Sequence, residues 1–453
     1  MVSDVMAFQS PRLTKLLLRP VYGILRRDCV SGSLKSDNPR NEKKNIDECH
    51  PRKQRTRKIS LLQDMIYASQ ENAHSDFVLK KSQQEDLSTK NNYEYNKEER
   101  QIIKANTKKL KLLLKGIKKG RYQYLVDRDA AKTLSDHLKD DLEQNDVIVE
   151  ISPGLGLLTE VLLACTNQPV SVYAYEPCDV LRSHLATKLL PLHSESLHLS
   201  GYDIQKFYSY YIIDKRVLES EYLNEILGPL PAKGDREVSP VKIVGIIYDL
   251  KFFSRLTLSF TLQCCFFKEI YPVFYLYVPH KVYCCLDRHY RYYRNRYLVG
   301  RHLFWYYFTM EELDTAPRAG FSPSPPLQCG KHEATEDLHL VKISHNPDIF
   351  NKVNLSELEN FHFFIRTVLP IKRDDTLVLR LERWIPDCGP ELIKNGIHPF
   401  AHPRDLDSDQ LFLAYKIFTS NPAFHQSVFH IQRKQYVARY GEKGQEETLT
   451  LKH

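Results

Sequence analysis

The sequence predicts an α/β fold of the Rossmann type, a parallel sheet with helical crossovers, followed by a small helical domain at its C-terminal end. Three observations carry this. Strand-like and helix-like segments alternate from residue 147 onward, and a Gly154-Leu155-Gly156 turn lies between the first of those strands and its helix. Glu176 closes the second strand, twenty residues beyond Gly156.

A chain of 453 residues has room for two or three domains and a sizeable core. Hydrophobic residues make up 42% and charged residues 26%, close to the average for water-exposed globular proteins. No run of about 20 apolar residues is present to span a bilayer, which argues against membrane insertion; a monomer is expected. The ten cysteines include no C-x-x-C pair, and two adjacent doublets, Cys264-Cys265 and Cys284-Cys285, do not make a zinc or disulfide framework. Net charge is +8 but unevenly placed: residues 101 to 121 hold eight Lys or Arg and no acid, a pattern that suits a polyanionic partner.

Taken in order, residues 1 to 40 fit a basic, amphipathic mitochondrial presequence. Arg12, Lys15, Arg19, Arg26 and Arg27 alternate with Leu13, Leu16, Leu17, Val21, Ile24 and Leu25, although Pro20 and Asp4 leave a basic tail as the alternative. Residues 41 to 101 are polar, without sustained periodicity, and read as a linker. From 102 a helix is expected, with Ile103, Leu110, Leu113, Leu114 and Ile117 on one face and lysines largely elsewhere. A Rossmann domain over 102 to 350 would contain strands at Val147 to Ile151, Val170 to Tyr175 and Val241 to Ile247, and a helix over 157 to 165. The Pro- and Gly-rich stretch 316 to 330 reads as a loop. Residues 351 to 453 show helical patterns without strand alternation.

In a nucleotide-binding turn the backbone must approach its ligand closely, which Gly154 and Gly156 permit. A dinucleotide fingerprint would place a third glycine at 159, where Thr159 stands, so NAD is disfavoured. Glu176 is placed to accept ribose hydroxyls, and Asp203, in Ser200-Gly201-Tyr202-Asp203, to accept from an adenine amine.

Tyr124-Leu125-Val126-Asp127, preceded by Gln123, with Val149 to Thr159 and Phe321-Ser322-Pro323-Ser324-Pro325, resembles three motifs of the rRNA adenine N6,N6-dimethyltransferases, and within them the mitochondrial transcription factors B. The resemblance spans about residues 121 to 440, and the glycine motif is its most specific part. Two departures are visible: Gln123 stands where the family has Asn, and Ser152 where it has Gly. The resemblance implies an S-adenosylmethionine-type methyltransferase fold. It further implies S-adenosyl-L-methionine held by Gln123, Leu125, Glu150, Ser152, Gly154, Gly156, Glu176 and Asp203.

Adenine N6 is a poor nucleophile, and the family meets it with an Asn-Leu-Pro-Tyr-like loop that accepts from the amine and stacks the base. In direct register that loop becomes Ile246-Ile247-Tyr248-Asp249. An isoleucine accepts no hydrogen bond. A register slipped by three residues would offer Asp249 as acceptor and Phe252 as the stacking ring; the plain alternative is a strand running on into an apolar segment.

Between Lys281 and Phe308, Arg288, Arg291, Arg294, Arg296 and Arg301 interleave with Tyr290, Tyr292, Tyr293, Tyr297 and the Trp305-Tyr306-Tyr307 cluster. Arginines holding phosphates and tyrosines stacking on bases suit an unpaired strand; a surface helix with tyrosines packed on the sheet fits as well. Arg366, Lys372 and Arg373 would add phosphate contacts or a solvated face. The resemblance implies a mitochondrial matrix or nucleoid protein that binds promoter DNA with the mitochondrial RNA polymerase, or else an enzyme dimethylating small-subunit rRNA. The altered loop favours the first.

Overall fold

The computed structural model describes residues 95 to 440 apart from short segments at 118–121, 144, 166–170, 218–219, 233–238, 288–297, 324–336 and 371–374. The expected presequence and most of the expected linker lie outside the described residues. The first described element, α1 (Lys97–Leu113), begins ahead of residue 102 because Asn96 and Glu99 form a capping box. The Asn96 side chain accepts from the Glu98 and Glu99 N–H groups, and Glu99 accepts from the Asn96 N–H at 2.8 Å. Ile103 and Leu110 turn inward as their spacing predicts, while Lys104, Lys108, Lys109, Lys111 and Lys115 are exposed.

There follow β1 (Tyr124–Leu125), α2 (Arg128–Lys139), β2 (Val147–Ile151), α3 (Leu157–Cys165), β3 (Ser171–Tyr175), α4 (Asp179–His193) and β4 (Leu197–Ser200). Next come α5 (Phe207–Arg216), α6 (Tyr222–Leu227), β5 (Val241–Ile246), α7 (Leu250–Thr261), β6 (Val273–Pro279), α8 (His280–Leu286) and α9 (Leu298–Tyr307). The last strands are β7 (Phe308–Ala316), β8 (Phe321–Ser322) and β9 (Leu338–His345). Among the described residues the remainder is helical: α10 (Ile349–Lys352), α11 (Leu355–Val368), α12 (Leu377–Glu382), α13 (Gly389–Lys394), α14 (Ser408–Ser420) and α15 (Val428–Tyr440).

The main sheet has seven strands in the order β4-β3-β2-β5-β6-β9-β7. Strands β4 through β6 run parallel, and β9 is inserted antiparallel between β6 and β7. Successive residues face opposite sides. Ile148, Val172, Ala174, Val244 and Tyr275 pack with α2, α3 and α4, whereas Val149, Ile151, Ile243, Phe274 and Leu276 pack with α7 and α9 on the other side. The C-terminal helices share this second core: the Tyr306 ring lies 4.6 Å from Phe361 and 5.0 Å from Phe412. Tyr306 and Tyr307 are therefore packing residues, not stacking platforms for bases. No described helix is long and apolar enough to cross a membrane.

Strand order reverses at β2, with β3 on one side and β5 on the other, so a crevice opens beyond their C-terminal ends. The glycine turn, Glu176 and the 246–249 loop all follow those strands.

Candidate functional site

β2 runs directly into the glycine turn. Ser152 (φ 51°), Gly154 (φ 63°) and Gly156 (φ 79°) are all left-handed, a region that a side chain makes costly. That accounts for glycine at the position of Ser152 in the family motif. The other two glycines answer to different neighbours. A Cβ on Gly154 would lie 2.6 Å from the Tyr124 ring, and one on Gly156 would lie 2.6 Å from Leu185 of α4.

Three acids surround the turn. Glu150 is buried in β2 and accepts from the Thr159 hydroxyl at 2.6 Å; burial pushes its carboxyl up to about 8. Glu176, also fully buried, accepts from the Gly154 N–H at 3.0 Å and the Cys178 N–H at 2.9 Å, and burial raises it to about 7. It thus fixes the turn against the end of β3. Asp203, after β4, accepts from the Tyr122 hydroxyl and lies 2.9 Å from the Lys206 ammonium. Tyr122 and Lys206 are site residues that the motifs do not contain, and Tyr122 reaches Asp203 from 81 positions away in the chain.

The opening motif closes the crevice from the N-terminal side. β1 pairs antiparallel with β8, Leu125 opposite Phe321 and Tyr124 opposite Ser322, which joins two motifs far apart in the chain. Asn106 of α1 donates to the Val126 carbonyl at 2.9 Å, and the Tyr95 hydroxyl donates to Asp127 at 2.7 Å. Gln123 Oε1, Ser152 Oγ and the Tyr248 hydroxyl are buried without a hydrogen-bond partner. Such atoms ordinarily belong to a ligand or water site. Together with the acids and the left-handed turn they fit a polar nucleoside cofactor.

At the acceptor loop, Ile246 is the last residue of β5 and buried, and Ile247 is fully buried with its N–H bonded to the Tyr277 carbonyl at 3.0 Å. Asp249 is exposed and caps α7, accepting from the Lys251 N–H at 3.0 Å. Phe252 is 4% exposed, edge-to-face with Phe207 and Phe274 at 5.7 and 6.1 Å. The slipped register is corrected by this packing: Phe252 is a core ring and cannot stack on a base. Arg288, Arg291, Tyr292, Tyr293, Arg294 and Arg296 lie outside the described residues, as do Lys372 and Arg373; Arg366 is exposed on α11.

A parallel sheet whose final strand is inserted antiparallel beside the last crossover, with an acid-lined glycine turn at its switch point, defines a Rossmann-like methyltransferase fold. No family model matches the chain. The chain is 24% identical over 318 residues to the mitochondrial dimethyladenosine transferase 2 of Drosophila melanogaster, a match covering 65% of this chain and 69% of that protein. Among solved structures it is similar to a dimethyladenosine transferase from Plasmodium falciparum (14% identity, 65% of this chain, 97% of that one, TM-score 0.43). A second likeness is to an RNA methyltransferase described as putative, from Pyrococcus horikoshii (14% identity, 55% and 96%, TM-score 0.28). Both structural likenesses are slight. By sequence, then, the chain is similar to a mitochondrial dimethyladenosine transferase, in line with the motifs that it carries.

Proposed function

We propose that this chain is a mitochondrial transcription initiation factor, a methyltransferase-like core that binds promoter DNA with the mitochondrial RNA polymerase and helps to open or hold it. The observation that carries this is the acceptor loop, where Ile246 and Ile247 are buried and Asp249 is turned to capping α7. An adenine amine placed against Ile246 would lose its water without gaining a side-chain acceptor, at a cost of about 1–3 kcal/mol in binding alone. The mitochondrial relative supports the compartment.

The cofactor crevice is assigned to S-adenosyl-L-methionine, whose sulfonium would supply an electrophilic methyl group. Gln123 and Ser152 would hydrogen-bond it, Glu176 would accept from the ribose and Asp203 from the adenine amine. Gly154 and Gly156 would keep the backbone low, Leu125 would wall the site, and Glu150 would brace the turn from below. Residues 102 to 350 would form this domain, with 351 to 453 the helical one. The retained buried acceptors favour a second reading, an enzyme that dimethylates small-subunit rRNA.

Promoter-dependent transcription with the mitochondrial RNA polymerase tests the first reading. Run-off transcripts that require the chain are expected, and transcript yield unaffected by its omission would overturn it.

A further inference from the structure

We propose that Tyr122 sets the affinity of the crevice for an adenine-bearing ligand, because its phenol occupies the carboxylate that the adenine amine needs. The inference rests on the assignment of Asp203 as that acceptor. The Tyr122 hydroxyl donates to Asp203 Oδ2, the same oxygen that lies 2.9 Å from the Lys206 ammonium, which is itself 3.3 Å from the Tyr122 oxygen. Two donors fill the two lone-pair directions of that oxygen. Oδ1 already accepts the Gln205 N–H at 3.2 Å, and Asp203 is only 4% exposed.

The phenol is a lasting occupant. Burial first, and then the Asp203 carboxylate, push the Tyr122 hydroxyl up to about 12, so it stays protonated and keeps donating at neutral pH. Its ring is also held. Tyr122 packs against a buried cluster in which Leu110 of α1, Tyr124 and Val126 meet Leu155 of the glycine turn and Leu181 of α4. Two residues on, Tyr124 lies against Gly154. An adenine amine that reaches Oδ2 must therefore displace the phenol, and the free-energy cost of that displacement is subtracted from its affinity.

Calorimetric titration of the full chain with S-adenosylhomocysteine separates the outcomes without requiring turnover. Tyr122→Phe keeps the ring and removes the donor, so binding should tighten about tenfold, the scale of one hydrogen bond to a charged acceptor. Asp203→Asn should lose most binding. Weakening with Asp203→Asn but no tightening with Tyr122→Phe, in samples with unchanged melting temperature, would overturn the role of Tyr122 alone. Undiminished binding by Asp203→Asn, or no binding by any folded sample at millimolar ligand, would overturn the acceptor assignment and the proposal with it.

Discussion

Thr159 donates its hydroxyl to the Glu150 carboxyl across 2.6 Å, tying the first turn of α3 to the last turn-ward residues of β2 beneath the glycine loop. Thr159 occupies the place where a dinucleotide site would carry its third glycine, and the bond gives that side chain a purpose. Thr159→Val keeps the shape and removes the hydroxyl donor, leaving the buried acid only its backbone contact to residue 159. A loss of about 1–3 kcal/mol in denaturant unfolding is expected; unchanged stability would mean that the bond is not formed.

The same acid makes stability depend on pH. Its folded value, about 8, lies above the ordinary 4.5, and Glu176 at about 7 behaves likewise, burial being the first cause in both. The folded state then holds protons that the unfolded chain releases. Their contribution is fully present below about pH 4.5 and is lost as pH rises through 7 to 8. Glu150→Gln removes one of the two titrations, so its melting temperature should fall less than that of the unaltered chain between pH 5 and 8. Parallel melting curves would contradict the assignment.

Ser152 carries a left-handed backbone and a buried hydroxyl without a partner. Ser152→Gly relieves both and should stabilise the unliganded protein by about 1 kcal/mol, after the entropy of a glycine is set against the strain. Differential scanning calorimetry reads the sign directly. A lower melting temperature would show that the hydroxyl has a stabilising partner in solution.

Much of this site was legible in the sequence. The strands at β2, β3 and β5, the helix at α3 and the turn at Gly154 and Gly156 follow from apolar runs and from the need for a tight backbone, which are local. The boundaries of α1 turned on a capping box rather than on the apolar face. Phe252 looked available because chain position alone does not say that Phe207 and Phe274 enclose it. Tyr122 and Tyr124 meet Asp203 and Gly154 through tertiary packing, and β7 is an edge strand whose Glu311, Glu312 and Asp314 hide its alternation.

The basic and aromatic stretch at 288 to 297 lies outside the described residues, so its role is tested in solution. Arg291→Ala with Arg294→Ala should weaken binding to all sequences and reduce the salt slope by about one per lost phosphate contact. Tyr292→Ala or Tyr293→Ala should cost roughly 1–3 kcal/mol on bubble DNA and far less on duplex. Filter binding across a salt series distinguishes these, and a loss of melting temperature without a bubble-specific loss of affinity would assign the tyrosines to packing.

The most direct measurement is single-turnover methyl transfer from labelled S-adenosylmethionine to a small-subunit rRNA hairpin, with the protein in excess and cofactor binding measured in the same sample. Ile246 offers the adenine amine no side-chain acceptor and Asp249 is engaged in capping α7, so bound cofactor with no N6-methylated adenine is the expected result. Stoichiometric dimethyladenine would contradict it and establish the chain as an active dimethyltransferase.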